Sequence, residues 1–483
     1  MTLPEEIPVQ PTTRPQSSSP LSCMYGLRAM IIRPFFVPGI AHSSYLVAGG
    51  SACVVIDPAR DTGRYIAAAQ EEGLAITHVL LTHLHADFIA GHRDLAEETG
   101  AAIAAPEAAG CAFPHIPLSE GDEVWCGDVC FSVIETPGHT PEHICFVATD
   151  TSQSDRPVAL FSGDTLFVGD VGRPDLFPGR AEELASALYD SLHEKVLALP
   201  AECELYPAHG QGSLCGRAIA ARRSSTIGYE KHANYALRIR KKAAFVKALT
   251  SGMPPAPDHF ARCSAVNRAG PALLSHLPEP VATGPEVFRA ETGSSDAVLL
   301  DVRCYPAFSG LHIPGSWHID LAGNFATQAG WVLPPDKDIF LVAESREQAG
   351  EAAVQLRRVG LDRVVGFLAG GVRSWAMRGY PVGTVPVVSA DEAGALVREK
   401  RAVLLDVRSP DEWEAGHAER SVHIPWHDLR SRFTELDPDR RYIVMCRGGQ
   451  RASIAASILL MHGFSHVMNL AGGYAAYSRA GGR

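Results

Sequence analysis

The chain repeats itself in its second half, and this repeat constrains the fold more than any other feature. The pentapeptide LLDVR occurs at residues 299–303 and again at 404–408. Each copy is followed by His-Ile-Pro and later by Leu-Ala-Gly-Gly. Three motifs in the same order at similar spacing indicate a duplicated module. Each copy alternates apolar strands with helical segments over roughly 100 residues, which predicts two α/β modules.

A Pro- and Ala-rich stretch between about residues 252 and 280 separates this repeat from the first half of the chain. The first half also interleaves strands with helices and is predicted to be α/β. The first residues are rich in Pro, Ser and Thr, a composition typical of disorder. We therefore predict a disordered extension at 1–28, a first domain at 29–265, and two repeated modules at 266–385 and 386–483.

Composition excludes some classes of partner for these 483 residues. The formal net charge of −11 argues against nucleic acid, because phosphate binding needs a basic surface. No apolar run reaches the roughly 20 residues that a membrane helix needs, and the start lacks the pattern of a secretory signal. The 11 cysteines form no paired framework, which fits a reducing compartment. We expect a cytoplasmic enzyme without membrane contact that forms a homo-oligomer.

Polar turns follow the apolar strands of the first half. The strand in HVLLTHLHAD ends at His83 and His85, and two histidines at this spacing can project into one pocket. Further turns follow at His139 in TPGHTPEH, at Asp164 in SGDT and at His209 in PAHG. Histidine and carboxylate at several strand ends predict a metal site.

The order HxHxD, GHT, GDT and AHG resembles the metallo-β-lactamase superfamily over about residues 30–250. This resemblance implies an αββα sandwich whose loops collect metal ligands at the strand ends. Binuclear members carry HxHxDH, whereas this chain has Phe88 at the last position. Because a phenyl ring cannot bind a metal, we predict a single metal ion.

Longer motifs, among them TPGHTPEHICF and SGDTLFVGDVGRPDL, resemble the bacterial persulfide dioxygenases. This resemblance implies one ferrous ion held by His83, His139 and Asp164. Two histidines and one carboxylate with open positions form the ligand set of many iron oxygenases, and we expect iron rather than zinc. Three more residues are expected to surround these ligands and orient them: His85, Asp87 and His209.

The loop after GDVG contains Arg173, our candidate for holding a substrate carboxylate through two parallel hydrogen bonds. A structural salt bridge is the alternative role for this arginine. Tyr229 and Lys231 are weaker candidates for the same pocket.

In the last module an apolar strand leads into Cys446 and the sequence RGGQRAS. Backbone N–H groups of such a loop and the following helix N-terminus stabilise a thiolate. Arg447 and Arg451 add charge that suits an anionic sulfur donor. Residues 388–483 resemble a rhodanese domain, which implies that Cys446 is the nucleophile and carries sulfane sulfur.

The middle module lacks this loop. Counting back 26 residues from Gly472 reaches Cys446, whereas counting back 26 from Gly370 reaches Glu344. A carboxylate cannot carry sulfane sulfur, and Cys304 lies in a different loop. We predict that this module is a non-catalytic rhodanese-like copy that serves as a spacer or docking platform.

The whole chain therefore resembles fusions of a persulfide dioxygenase with two rhodanese domains. The predicted reaction oxidises a small thiol persulfide, of glutathione or coenzyme A type, with O2 to sulfite at mononuclear iron. Sulfur transfer among persulfide, sulfite and thiosulfate would follow, as part of sulfide detoxification. Two alternatives remain: a glyoxalase II-like thioester hydrolase with a zinc or mixed-metal site, and a non-oxidative carrier of sulfane sulfur.

Overall fold

The computed structural model describes residues 29–481, so the extension predicted at 1–28 lies outside the described residues. The chain divides into two compact units. The first extends to His276 and includes the short segment Arg358–Gly360. The second contains Leu277–Arg357 and the chain from Leu361 onward. No helix within residues 29–481 has the length and apolar character needed to span a membrane.

Two six-stranded sheets build the first unit. The first sheet, in chain order, contains β1 (Ile31–Val37), β2 (His42–Gly49), β3 (Ala52–Ile56), β4 (Ala75–Leu80), β5 (Ala102–Pro106) and β6 (Ile116–Leu118). The second contains β7 (Glu123–Cys126), β8 (Val129–Glu135), β9 (Ile144–Asp150), β10 (Ala159–Gly163), β11 (Glu204–Pro207) and β12 (Ser225–Thr226), also as sequential neighbours.

Side chains of the two sheets alternate between an inner and an outer core. Phe146 and Phe161 pack in a cluster with Val54 of the first sheet. Their neighbours Val147 and Leu160 face the other way, in a second cluster with helix residues. Successive strand residues point to opposite faces of a sheet, so the outer face of the sandwich also carries apolar side chains. Helices cover these side chains. From residue 29 onward the unit contains six α-helices: α1 (Gly63–Glu72), α2 (His92–Thr99), α3 (Ala181–Asp190), α4 (Ile227–Ala233), α5 (Lys242–Thr250) and α6 (His259–Ala269). This confirms the predicted αββα fold.

The predicted boundary at 265/266 falls inside α6, and the first unit instead extends to His276. The side chain of Asn267 in this helix donates to the carbonyl oxygens of His85 and Phe88, each over 2.8 Å. Its oxygen accepts from the N–H of Ala90 at 2.9 Å. Helix α6 therefore supports the loop that carries the histidines and is part of the first unit. The composition of the sequence alone did not indicate this.

Both modules of the second unit contain a five-stranded parallel sheet, which confirms the predicted duplication and fold. The order is β13-β17-β16-β14-β15 in one and β18-β22-β21-β19-β20 in the other. The strands are β13 (Val281–Thr283), β14 (Ala297–Asp301), β15 (Trp317–His318), β16 (Asp338–Val342), β17 (Val364–Leu368), β18 (Val387–Val388), β19 (Val403–Asp406), β20 (Val422–His423), β21 (Tyr442–Met445) and β22 (Val467–Leu470).

Among the residues that the structure describes, five α-helices accompany each sheet. The middle module has α7 (Pro285–Thr292), α8 (Tyr305–Gly310), α9 (Phe325–Val332), α10 (Arg346–Arg358) and α11 (Gly371–Met377). The last module has α12 (Ala390–Arg398), α13 (Pro410–Glu414), α14 (Leu429–Arg432), α15 (Gln450–Met461) and α16 (Gly473–Arg479).

Candidate functional site

Three buried side chains from three strand-end loops converge in the first unit. Ligand atoms of His83, His139 and Asp164 lie within 4.8 Å of one another. The Oδ2 atom of Asp164 is 3.3 Å from His139 Nε2 and 3.8 Å from His83 Nε2. All three of these atoms are buried without a hydrogen-bond partner. Buried polar atoms without partners are costly, so a metal ion fits this donor set.

The other ring nitrogen of His83 and of His139, Nδ1, forms a hydrogen bond. The Nδ1–H of His83 donates to Thr82 Oγ1 over 2.9 Å, and the Thr82 hydroxyl donates to Asp57 Oδ2 over 2.8 Å. The Nδ1–H of His139 donates to the carbonyl oxygen of Arg173 over 2.9 Å. Burial lowers the pKa of both rings. They are therefore neutral and direct the Nε2 lone pair to the centre.

Close backbone approach supports this geometry. A Cβ atom at Gly172 would collide with the carbonyl oxygen of Asp164 and would lie 2.9 Å from the Cβ of His139. Only glycine therefore lets the chain pass between these two residues.

His209 lies behind the carboxylate ligand. Its Nδ1–H donates to Asp164 Oδ1 over 2.7 Å, and its Nε2 is 2.8 Å from Asp87 Oδ2. Burial alone would lower the pKa of His209, but the two carboxylates raise it well above its usual value. Burial alone would likewise raise the pKa of Asp164, and the positive His209 lowers it well below. The carboxylate is thus held ionised, with Oδ2 left for a metal.

His143, which was not predicted from the sequence, also supports the candidate ligands. Its ring stacks on His83 with centroids 4.7 Å apart, and its Nε2 accepts from the N–H of Asp164 at 2.9 Å. Its Nδ1 lies 3.0 Å from Thr136 Oγ1. Burial lowers the pKa of His143 to about 3, which keeps Nε2 unprotonated and able to accept. The signal was the second histidine of TPGHTPEH, four positions after His139.

A second group of possible ligands lies nearby: His85, Asp87 and His209. The ring of Phe88 is fully buried against this group, 4.5 Å from the His85 ring and 4.1 Å from the His42 ring between centroids. An apolar ring thus lies where the sequence pattern of binuclear relatives has a nitrogen ligand. The structure brings together all six residues predicted in and around the metal site.

The structure does not support Arg173 as a free carboxylate anchor. Its guanidinium is buried and forms a salt bridge to Asp175, with bonds of 2.7 and 2.8 Å. It also donates to the carbonyl oxygens of Leu214 and Pro254, over 3.1 and 2.7 Å. The alternative structural role matches this geometry: Arg173 joins distant loops while its own carbonyl oxygen orients His139.

Tyr229 and Lys231 are exposed on α4. The Tyr229 ring lies under the guanidinium of Arg222, 5.3 Å from its centroid. Their neighbour Glu230 is buried and accepts from Ser225 and from the N–H of Gly169. Neither the contact between Tyr229 and Arg222 nor the hydrogen bonds of Glu230 involve a candidate metal ligand.

A mainly apolar cavity of about 270 Å³ lies beside the ligand loops. Leu84, between His83 and His85, lines one wall, and α6 lines another with Phe260 and Ser264. The exposed Arg268 is also part of the lining. This cavity can receive a small organic group next to the candidate metal site.

In the last module Cys446 follows β21 and is 2% exposed. Its Sγ accepts from the N–H of Gly449 at 3.0 Å, and Gly449 has a φ of +116°, which suits glycine. The loop therefore directs a backbone donor at the sulfur, as predicted.

The two arginines of this loop differ. Arg451 forms a bidentate pair with Glu412, with distances of 2.5 and 2.9 Å. Partial burial raises the pKa of Glu412, but the bonds and charge of Arg451 outweigh it and lower the pKa to about 2. Arg447 is exposed and free to meet an anion at the loop. Arg451 is held by Glu412 and therefore has a structural role at this loop.

In the middle module the structural equivalent of Cys446 is Ala343, and not Glu344. Val342 pairs with Asp301 as Met445 pairs with Asp406, so the following residues correspond. Two residues, 344–345, separate Ala343 from α10, whereas three, 447–449, separate Cys446 from α15. The count of 26 failed because the stretch from the start of the helix to the first glycine of Leu-Ala-Gly-Gly is two residues longer in the middle module, which outweighs the loop that is one residue shorter. The middle module therefore has alanine, and not cysteine, at the position equivalent to Cys446.

Known families match both halves of the chain. Residues 37–209 match the family model of the metallo-beta-lactamase superfamily. Residues 284–378 and 389–480 each match that of the rhodanese-like domain.

Comparison with individual proteins identifies more specific relatives of this chain. The mitochondrial persulfide dioxygenase ETHE1 of Mus musculus is 30% identical over 234 residues, 48% of this chain and 85% of that protein. A hydroxyacylglutathione hydrolase of Rhodospirillum rubrum is 39% identical over 160 residues, 33% of this chain and 57% of that protein. The crystal structure of a metallo-beta-lactamase from Staphylococcus aureus subsp. aureus COL is 35% identical, with a TM-score of 0.64. The matched region covers 71% of this chain and 99% of the Staphylococcus aureus chain.

Proposed function

Because the chain belongs to the persulfide dioxygenase family of metallo-β-lactamase-fold enzymes and carries two rhodanese-like domains, we propose that it oxidises small thiol persulfides to sulfite. The net reaction is RSSH + O2 + H2O → RSH + SO3²⁻ + 2 H⁺. The terminal sulfur gains three oxygens, and the thiol leaves with a proton. Sulfur transfer at Cys446 is the second proposed activity.

One observation carries the metal assignment: the unpartnered Nε2 atoms of His83 and His139 face the unpartnered Oδ2 of Asp164. We propose that these three residues hold one ferrous ion. When bound, this ion supplies the redox chemistry between O2 and the persulfide sulfur. His209 and His143 keep the carboxylate and the His83 ring in place for it.

Two features favour one metal over two. Phe88 contributes an apolar ring beside His85, and His209 is already engaged by two carboxylates. To act as a ligand, His209 would have to release the Nε2 proton that faces Asp87. We therefore assign His85, Asp87 and His209 to orienting the centre.

The cavity along α6 is the proposed place for the thiol part of the substrate. Its walls include residues directly adjacent to the metal ligands, such as Leu84. Arg268 offers a guanidinium to an anionic group of a glutathione- or coenzyme A-type persulfide. This assignment replaces Arg173, four of whose five N–H donors already bond to Asp175, Leu214 and Pro254. Tyr229 and Lys231 remain weaker candidates.

For Cys446 we propose the step Cys446–S–S⁻ + SO3²⁻ → Cys446–S⁻ + S2O3²⁻. The sulfane S–S bond breaks, a new S–S bond forms to sulfite, and the thiolate leaves. The Gly449 N–H stabilises that thiolate, and the exposed Arg447 attracts the anion. The reverse step starts from thiosulfate.

The test is anaerobic loading with ferrous iron, followed by O2 consumption and sulfite formation with a panel of thiol persulfides. We expect one iron per chain and turnover with at least one persulfide. His139→Ala should abolish O2 uptake and leave sulfurtransferase activity. Cys446→Ala should have the opposite effect. Loss of both activities in either variant would contradict two separate sites.

The similarity to hydroxyacylglutathione hydrolases, together with the group His85, Asp87 and His209, supports thioester hydrolysis as the alternative. Zinc-dependent hydrolysis of S-lactoylglutathione without O2 uptake would establish it. The carrier alternative requires that sulfide removal in cells survives His139→Ala and fails with Cys446→Ala. Cytoplasmic location and the homo-oligomer remain predictions.

A further inference from the structure

The helix that follows Cys446 differs from its counterpart in the middle module. In α10 the buried residues lie along one side, and they are Ala349, Ala352, Ala353, Leu356 and Arg357. In α15 eight consecutive residues, 452–459, are buried. A helix that is buried all round must pack against other elements on both sides. Its own sheet covers one side, and the middle module covers the other.

Specific contacts join the two modules, one at α15 itself and one at a residue that precedes α14. The N–H of His318 in β15 donates to Ser457 Oγ over 3.1 Å. Trp331 in α9 stacks on His427, with centroids 4.2 Å apart and planes at 11°. The inactive module therefore packs against the element that positions the thiol.

One residue of the middle module reaches the thiol loop itself. Tyr305 begins α8, and its N–H donates to Asp320 Oδ2 over 3.1 Å. A Cβ atom at Gly449 would lie 3.1 Å from Cζ and 3.4 Å from both Cε atoms of the Tyr305 ring. The ring thus covers the α-carbon of the residue whose N–H is bonded to Cys446 Sγ.

We propose that Tyr305 is a positioning residue for Cys446, and that the inactive module thereby completes the thiol site. The ring limits movement of Gly449 and keeps its N–H directed at the sulfur. Without the ring, this donor can turn away, and the thiolate loses a charge-assisted hydrogen bond. This inference rests on the proposed role of Cys446 as the reactive thiol.

The experiment uses the full chain with Cys304→Ser, because Cys304 is an exposed thiol adjacent to Tyr305. Alkylation of Cys446 by neutral iodoacetamide is timed at pH 7 and located by mass spectrometry. We expect Tyr305→Ala to slow it about three- to tenfold, as a weakened bond to a charged acceptor should. Tyr305→Phe keeps the ring and should restore the rate.

Trp331→Ala is the matched control, because it removes an aromatic ring from the same pair of modules away from the Cys446 loop. It should lower the unfolding temperature and leave alkylation unchanged, and Trp331→Phe serves if the alanine variant does not fold. Equal slowing by Tyr305→Ala and Trp331→Ala, or no slowing by Tyr305→Ala, would overturn the proposal. Wild-type alkylation without any thiosulfate turnover would instead contradict the proposed sulfur transfer.

Discussion

His209 and Asp164 form a buried ion pair in which the Nδ1–H of the histidine donates to Oδ1 of the carboxylate over 2.7 Å. The other oxygen, Oδ2, faces the two neutral histidines. The pair therefore assigns the two carboxylate oxygens different tasks: one is fixed by the protein, and the other is left for a metal.

Replacing His209 by Asn should weaken iron binding about 10- to 100-fold, as loss of a residue that orients a ligand commonly does. Competition with a chromophoric chelator under anaerobic conditions measures the affinity. His232→Ala, an exposed histidine on α4, should bind iron like the wild type. Unchanged affinity in His209→Asn would show that Asp164 needs no such support.

Phe88→His should raise the metal content from one to two ions per chain, because it adds a nitrogen beside His85, Asp87 and His209. Elemental analysis after loading with zinc and removal of excess metal gives the ratio. Phe88→Leu is the control without a ligand atom and should stay at one. A ratio of two in the wild type would contradict the single-metal interpretation.

The strand-end turns made most of the metal site predictable. An apolar strand followed by a small polar turn specifies which end of the sheet carries His83, His139 and Asp164. The surroundings of Arg173 were not predictable, because two of its acceptors lie 41 and 81 positions away in sequence. The equivalence of Ala343 and Cys446 was also not predictable from the sequence, because the count assumed the same number of residues up to the Gly-Gly pair in both modules, whereas the loop and the helical stretch after it differ in length.

Ser264→Trp should fill the cavity along α6 and reduce kcat/KM for persulfide oxidation at least about tenfold, since the thiol part loses its space. Oxygen consumption at varied persulfide concentration measures this effect. Sulfur transfer from thiosulfate at Cys446 is the internal control and should not change. Oxidation at the wild-type rate would exclude this cavity as the binding place.

Ala343→Cys should not create a second sulfurtransferase site, even though it puts a thiol at the position equivalent to Cys446. The loop is one residue shorter and has no glycine equivalent to Gly449, so the backbone donor to the sulfur is missing. The test is thiosulfate sulfurtransferase activity in a Cys446→Ser background. Recovered activity would show that the loop length is not what inactivates the module.

His92→Phe should make the first unit less sensitive to acid. The ring of His92 is fully buried and packs with its centroid 4.6 Å from that of the Phe113 ring. Burial lowers its pKa from 6.5 to about 3. Between these values the unfolded chain holds a proton that the folded chain does not, so stability falls as the pH drops through 6.5.

This single histidine should account for about 2 kcal/mol of lost stability between pH 7 and pH 5. Pulse proteolysis of the metal-free protein across a urea series at both pH values, with first-unit peptides followed by mass spectrometry, measures it. His42 and His143, whose pKa values also fall to about 3, are present in both proteins and cancel in the comparison. The stability of His92→Phe relative to the wild type should therefore rise on acidification. An equal loss in both proteins would mean that the folded unit accommodates a charged ring at position 92.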